Sequence, residues 1–175
     1  GVVMDQIGHQ LCASPLLASG IVATTALTLA GSAAQQAAWL PRLAAAQAIG
    51  TLAVDEAAKH RPQQLATTAR AEGGGWVLDG AKSFVLDGHV ADVVIVAARV
   101  GEAHTGLFLV DARAAGVAVE RTVMVDAHNA ARLQFQAVRL GADALLGTPE
   151  SGAATLAATL NAGRCAAAAE LLGLA

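Results

Sequence analysis

The chain has 175 residues and a mass of 17.4 kDa, enough for one well-cored domain, or a small domain with helical pieces at its ends, without help from disulfides. Lysine plus arginine number 11 against 14 aspartate plus glutamate, a formal charge of -3, which excludes the clustered basic face that a nucleic-acid grip requires. Apolar residues make up 55% and charged residues 14%, well under the roughly 25% charged of an ordinary soluble domain, so cover from a partner subunit, from more chain or from a membrane is implied.

Helical periodicity starts at once, with Val3, Ile7 and Leu11 at steps of four. No basic stretch with a cleavage site precedes them, so no signal peptide is expected and a cytoplasmic location is. Residues 10–40 carry no charged side chain, a run long enough to test as a membrane span. Pro15, Thr24, Thr25, Gln35 and Gln36 interrupt it and its bulk is alanine, so packed helices are expected and a span is not. Pro15 is placed to open a helix, Gly31-Ser32 to end one and cap the next, and Pro41 to stop the helix carrying Trp39 and Leu40.

Between residues 50 and 146 the period falls to two and glycine becomes the punctuation. Residues 76–78 lead into Asp79-Gly80 and residues 82–86 into Asp87-Gly88, the signature of short antiparallel strands joined by tight turns. Further strands are expected over 92–99, 106–111, 117–121 and 131–138. In the last of these Arg132, Gln134 and Gln136 alternate with Leu133, Phe135 and Ala137, one face wet and the other packed. The pattern predicts an α+β chain whose centre is an antiparallel β-barrel or sandwich flanked by helices. After Gly147-Thr148-Pro149 the helical pattern returns, with Thr148 or Ser151 as cap and Leu156, Leu160 and Leu171 on an alanine-rich face.

Cys12 and Cys165 stand apart, with no metal-ligand spacing, and are expected to be small buried apolar residues. His9, His60, His89, His104 and His128 fall in helix ends or loops with no carboxylate at triad or metal spacing, and surface or capping roles are expected of them. Residues 126–129 read as a hairpin tip.

The strings Trp39-Leu40-Pro41-Arg42-Leu43-Ala44, Ile49-Gly50-Thr51-Leu52-Ala53-Val54-Asp55-Glu56, Thr67-Thr68-Ala69-Arg70-Ala71-Glu72 and Trp76 through Gly88, followed by Ala91-Asp92, Gly106 through Asp111, Gly116-Val117, Asp143 through Gly147 and Gly163-Arg164, resemble in that order the middle of the acyl-CoA dehydrogenase family. The resemblance covers essentially the whole chain. It implies the end of an N-terminal helical domain at residues 1–47, a middle β domain at 48–147 and the start of a C-terminal helical domain at 148–175. It further implies FAD as cofactor, an acyl-CoA thioester as substrate, and assembly as a homo- or hetero-oligomer, dimer or tetramer.

Residue by residue, the resemblance assigns flavin contacts to Leu52, Val54, Asp55, Arg61, Phe84, Val85 and Leu86, and substrate contacts to Arg61, Asn161 and Arg164. Three of these positions depart from the family pattern. Asp55 stands where a threonine meets the flavin's pyrimidine edge, Lys59-His60-Arg61 replaces a glycine-serine turn, and Leu86 replaces a threonine whose hydroxyl sits near flavin N5. No residue is assigned as catalytic base, which in the family lies far downstream or, in a minority, at the position held here by Gly163. These departures leave an alternative expectation, a non-catalytic partner subunit of an active relative.

Overall fold

The computed structural model describes residues 1–125 and 128–175; the expected hairpin tip at 126–129 lies in part outside the described residues. Helix α1 (Val2–Gln10) precedes a π-helical stretch, Leu16–Ala23, that Pro15 opens and that runs directly into α2 (Thr24–Ala30). Gly31 ends α2, and α3 (Ala33–Ala44) begins in a capping box: the Ser32 hydroxyl accepts from the Gln35 N–H at 3.2 Å, and the Gln35 side chain accepts from the Ser32 N–H at 2.7 Å. Pro41 does not stop this helix, contrary to expectation. The helix runs one turn past it to Ala44, and Arg42 lies over the Trp39 ring at 4.8 Å. The proline's fixed φ is compatible with a helix, and its missing N–H takes one bond from it.

The strands are β1 (Gly50–Ala53), β2 (Thr68–Glu72), β3 (Gly75–Leu86), β4 (Val93–Val100), β5 (His104–Asp111), β6 (Val117–Val123), β7 (Asn129–Leu140) and β8 (Leu145–Leu146). They form an open sheet in the order β6-β7-β3-β2-β4-β5-β8, with β1 beside β4. Of the expected barrel or sandwich, a closed barrel is therefore not formed, and the antiparallel expectation holds only in part. β1 and the first residues of β2, Thr68 and Ala69, both run parallel to β4, one after the other along the edge that β5 does not take. Period-two patterning reports which face of a strand is buried, not which neighbour it takes. β4 itself carries no alternation, since residues 93–98 are all buried. Val94, Val96 and Ala98 belong to a core shared with Leu78, Phe108, Leu133 and Phe135, whereas Ile95 and Ala97 face a second core shared with Leu27, Leu43, Leu107, Leu146 and Leu156 of the helices and neighbouring strands. In the first core Trp76 meets Phe108 edge to face at 5.2 Å.

Two glycine signals resolve differently from expectation. Asp79-Gly80 is not a turn: β3 passes straight through it. Gly80, at φ 145°, lies against Thr67, and Asp79 Oδ1 accepts the Ala137 N–H at 2.7 Å, satisfying a bulge in β7 that turns Ala137 outward. The tight hairpin is instead at Gly73-Gly74, both with positive φ, between β2 and β3. Asp87-Gly88 does turn the chain, but it leads to β4, which pairs with other strands. Cys12 and Cys165 are free and exposed rather than buried: Cys12 falls past the end of α1, and Cys165 follows the exposed Arg164 on the last helix.

Helix α4 (Pro149–Leu174) starts in a capping box between Thr148 and Ser151 with Pro149 in its first turn. It packs on β5 and α1 at backbone distance: a Cβ on Gly152 would run into the Thr105 carbonyl, one on Gly8 into the Glu170 carbonyl, and one on Gly173 into the Asp5 carbonyl. Among the described residues no helix is long and apolar enough to cross a membrane. Replacing Gly152 by alanine is expected to lower unfolding free energy by about 1–3 kcal/mol, measured by denaturant unfolding, whereas Gly101→Ala, where nothing lies within 4 Å but φ is 60°, is expected to cost about 1 kcal/mol from backbone strain alone.

Candidate functional site

A buried lysine organises the main cleft. Lys82 is fully buried, and its ammonium donates to the Val54 carbonyl at 3.0 Å and to Glu56 Oε1 at 2.7 Å. The Glu56 carboxylate also accepts the N–H groups of Ala66 (2.6 Å) and Thr67 (2.9 Å), so it closes the base of the loop between β1 and β2. Burial raises the Glu56 carboxyl, but hydrogen bonds from Lys82, Thr67 and Ala66 outweigh it and hold the group below its ordinary 4.5. Burial pulls the Lys82 ammonium down, and the attraction of Glu56 and Asp55 recovers only part of that. Burial thus weighs more on the lysine, while the carboxylate, with several donors, remains ionised.

Two more bonds stitch the same segments together. The Ser83 N–H donates to the Asp55 carbonyl at 2.7 Å, and the Thr51 hydroxyl donates to the Leu86 carbonyl at 2.6 Å. Between them β3 carries a bulge: Lys82 pairs with Leu133 and Val85 with Ala131, leaving one extra residue on β3. Phe84 sits in it with φ 54°, a left-handed conformation of order 1–3 kcal/mol above the extended one. The bulge holds Phe84 out from the sheet, 43% exposed, into a cleft of about 340 Å³.

This cleft collects most residues that the family resemblance singled out. Leu52, Val54 and Asp55 from the end of β1, and Phe84, Val85 and Leu86 from β3, form one wall; Leu17 and Val22 of the π-helical stretch and Leu160, Gly163 and Arg164 of α4 form the other. Arg61 is exposed on the loop, donating to the Gln64 side chain at 3.2 Å, and Asn161 is exposed on α4, accepting from Arg164 at 2.7 Å; neither lines the cleft. The polar groups that do line it are few: the Ser83 hydroxyl, Asp55, His60, Thr51 and Arg164. Past Leu17, Ala18, Leu86 and Ala167 the space opens into a chamber of about 580 Å³ with Met4, Ile7 and Leu171 on its walls and Asp87, Asn129 and Glu170 at its polar side.

His60 is exposed, as its expected surface role requires, but it has a carboxylate partner that the sequence reading did not find. Its Nδ1 lies 2.8 Å from Asp55 Oδ1 and 3.1 Å from Oδ2, and its ring lines the cleft. The signal missed in the sequence was their spacing of five across a loop that Glu56 folds back. Lys82 was likewise read only as a strand residue, although a lysine between apolar neighbours on a core face requires a buried partner. Among the described residues no cluster of His, Cys, Asp or Glu is placed to hold a metal ion.

The donor set suits a flat heterocycle. Apolar faces, a half-exposed aromatic ring and a short polar edge of Ser83 and His60 are what the isoalloxazine of FAD presents surfaces for, whereas the exposed Arg61 does not form a backbone cradle for its phosphates.

A family profile described as "Acyl-CoA dehydrogenase, middle domain" matches residues 51–138. The chain is 36% identical over 132 residues to the mitochondrial long-chain specific acyl-CoA dehydrogenase of Sus scrofa, an alignment covering 70% of this chain and 31% of the relative. Its fold superposes on a glutaryl-CoA dehydrogenase from Mycobacterium smegmatis, solved in complex with FADH2, with a TM-score of 0.83 and 30% identity, over 90% of this chain and 41% of that one. It superposes on the ChsE4-ChsE5 complex from Mycobacterium tuberculosis with a TM-score of 0.87 and 28% identity, over 98% of this chain and 44% of that one. The superpositions extend over the open mixed sheet and the helices that wall it. The chain belongs to the acyl-CoA dehydrogenase family, and spans less than half the length of the relatives it matches.

The pair at the base of the cleft has a defined acid response. The folded value of Glu56 lies below its unfolded one, so its contribution is present above the ordinary carboxylate range and is lost as pH falls through the folded value. Glu56→Gln is expected to flatten that loss in a plot of unfolding free energy against pH between about 2 and 5. Lys82→Ala, which leaves the carboxylate without its cation, is expected to cost about 3–5 kcal/mol at neutral pH.

Proposed function

We propose that the protein to which this chain contributes is an FAD-dependent acyl-CoA dehydrogenase acting on the α,β-bond of an acyl-CoA thioester. The single observation that carries this reading is the cleft itself: six positions that the resemblance assigns to the flavin (Leu52, Val54, Asp55, Phe84, Val85 and Leu86) line one apolar slot opposite Arg164. Membership of the family supports it. We divide the chain, on the same reading, into the end of a helical domain (1–47), a middle β domain (48–147) and the first helix of a further domain (148–175), with the cytoplasm as expected compartment.

Bound FAD would supply the two-electron acceptor. Phe84, Val85, Leu86, Leu52 and Val54 then shield its ring from water, a shield that strengthens every charge interaction in the slot. Ser83 and the Asp55–His60 pair, the polar residues on that wall, would offer hydrogen bonds to its polar edge. Arg61, on the exposed loop, is assigned to phosphate, of the cofactor or of the thioester's nucleotide. Asn161 holds the Arg164 guanidinium by one N–H and leaves the others free for the thioester's amide and carbonyl oxygens. The chamber beyond Ala18 and Leu86 gives the acyl group its room. No proton-abstracting residue is assigned within this chain.

A second reading is supported by particular residues. Leu86 brings no hydroxyl to the slot and Asp55 brings a carboxylate, which suits a subunit that leaves catalysis to a partner. The exposed apolar residues Val2, Val3, Leu171 and Leu172 at the joined ends of α1 and α4 supply surface for association as homo- or hetero-oligomer. Colour separates the two readings. The full-length protein is expected to purify yellow or to take up added FAD with a flavin absorption band; a colourless protein that ignores FAD overturns the enzyme reading in favour of the partner subunit. Arg164→Gln is expected to weaken acyl-CoA binding about 10- to 100-fold, the loss of hydrogen bonds from a charged donor, with flavin content unchanged.

A further inference from the structure

A bare carboxylate beside an electron-accepting ring opposes the charge that electrons bring, so Asp55 in this cleft calls for compensation. The structure contains it. Both Asp55 oxygens lie within 3.1 Å of His60 Nδ1, and the tautomer that makes these bonds donates from Nδ1. The other ring nitrogen, Nε2, has no hydrogen-bond partner among the described residues, and the ring lines the cleft. The Asp55 side chain is 27% exposed and that of His60 45%, so the pair is half shielded but in contact with solvent protons. This is an orienting carboxylate behind an imidazole whose free nitrogen is open to a ligand and to water.

Resting on the flavin reading above, we propose that His60, positioned by Asp55, is the proton-accepting charge partner of the flavin's polar edge. As two electrons and one proton pass onto the ring, from an acyl thioester or from dithionite, one net negative charge is left there; Nε2 of His60 takes one proton from solvent, forming one N–H bond and breaking none in the protein. The imidazolium then balances that charge while Asp55 holds it in place. Charged groups facing the pair are Lys82 of β3, which attracts Asp55 from behind, Arg164 of α4 across the cleft, and Lys59 and Arg61 flanking His60 on the loop. Glu56, bonded to Lys82, completes the set, and His60 is the imidazole among the residues that line the cleft. His60 is a positioning and charge-balancing residue here, and Asp55→Thr, which restores a hydroxyl, is the natural counter-variant.

The test is redox titration of the FAD-loaded full-length protein between pH 7.5 and 8.5, where the reduced ring no longer takes a second proton at its own N1, in wild type, His60→Gln, Asp55→Thr and the double variant, with FAD dissociation constants of the oxidised and reduced forms by fluorescence and absorption. Wild type is expected to take up two protons per electron pair over part of this range and His60→Gln one throughout. His60→Gln is also expected to weaken binding of the reduced form relative to the oxidised form about tenfold. The double variant recovers that tenfold because the uncompensated carboxylate has gone, an epistasis that a merely structural His60 would not produce. A yellow wild type with the same proton count as His60→Gln overturns this inference and leaves the flavin reading standing. A colourless wild type that takes up no FAD defeats the flavin reading and this one with it. If His60→Gln misfolds by circular dichroism, Asp55→Thr decides: it is expected to keep FAD and lose proton uptake at neutral pH, and unaltered uptake overturns the proposal.

Discussion

The Lys82 ammonium is the constraint from which the cleft follows. A fully buried cation must find oxygens, and the two it finds, the Val54 carbonyl and the Glu56 carboxylate, both belong to the segment leaving β1. Satisfying the lysine therefore pins that segment beside residues 82–86 of β3, and Glu56 in turn closes the loop at Ala66 and Thr67. Once that is fixed, the bulge at Phe84 has little freedom. Its neighbours are held by the Asp55 and Leu86 carbonyl bonds, and the left-handed Phe84 is over-determined by its surroundings. The wall of the cleft is thus built from backbone held by one buried ion pair, and its lining side chains are free to differ from those of relatives.

By the resemblance, that freedom is used at Asp55 and Leu86, where the family pattern has threonines. Asp55 and Leu86 change the chemistry of the slot without disturbing the bonds that make it, because the contacts at those two positions are backbone carbonyls. The carboxylate of Asp55 would be a liability alone, yet it arrives with His60 in the loop that Glu56 folds back. Asp55 and His60, five residues apart and bonded at 2.8 Å, therefore act on the slot as one pair.

Much of the architecture was legible from periodicity and caps. The helix at the start, the Ser32 and Thr148 caps, the strands from β4 to β7 and the alternation of Leu133 and Phe135 against Arg132 and Gln134 all follow from local rules. Pairing was not legible, since residues 50–53 and 68–72 contain nothing that says they run parallel to β4. Asp79-Gly80 misled because an aspartate that satisfies a bulge across the sheet looks like one that begins a turn. At the site, Leu52, Val54 and Phe84 to Leu86 could be marked by resemblance, but the Asp55–His60 contact could not: it depends on a loop closed by a long-range bond from Glu56. Arg61, marked with them, lies outside the cleft because that same closure turns the loop's tip into solvent.

The unusual composition has its explanation in how the second wall is held. A chain with 55% apolar and only 14% charged residues suggested hidden surface, and part of the answer is that alanine and glycine allow backbones to meet. Gly152 sets α4 against β5, Gly8 and Gly173 set it against α1, and between these points a Cβ on Gly163 would press on Val22 at 3.0 Å. Helix α4 is thus fixed at both ends and close to the π-helical stretch in the middle. Leu160, Gly163 and Arg164, which face the β3 bulge across the slot, inherit their position from those contacts. The width of the cleft is therefore set by small residues far from its chemistry: one wall is held by a buried ion pair, and the other by the absence of side chains.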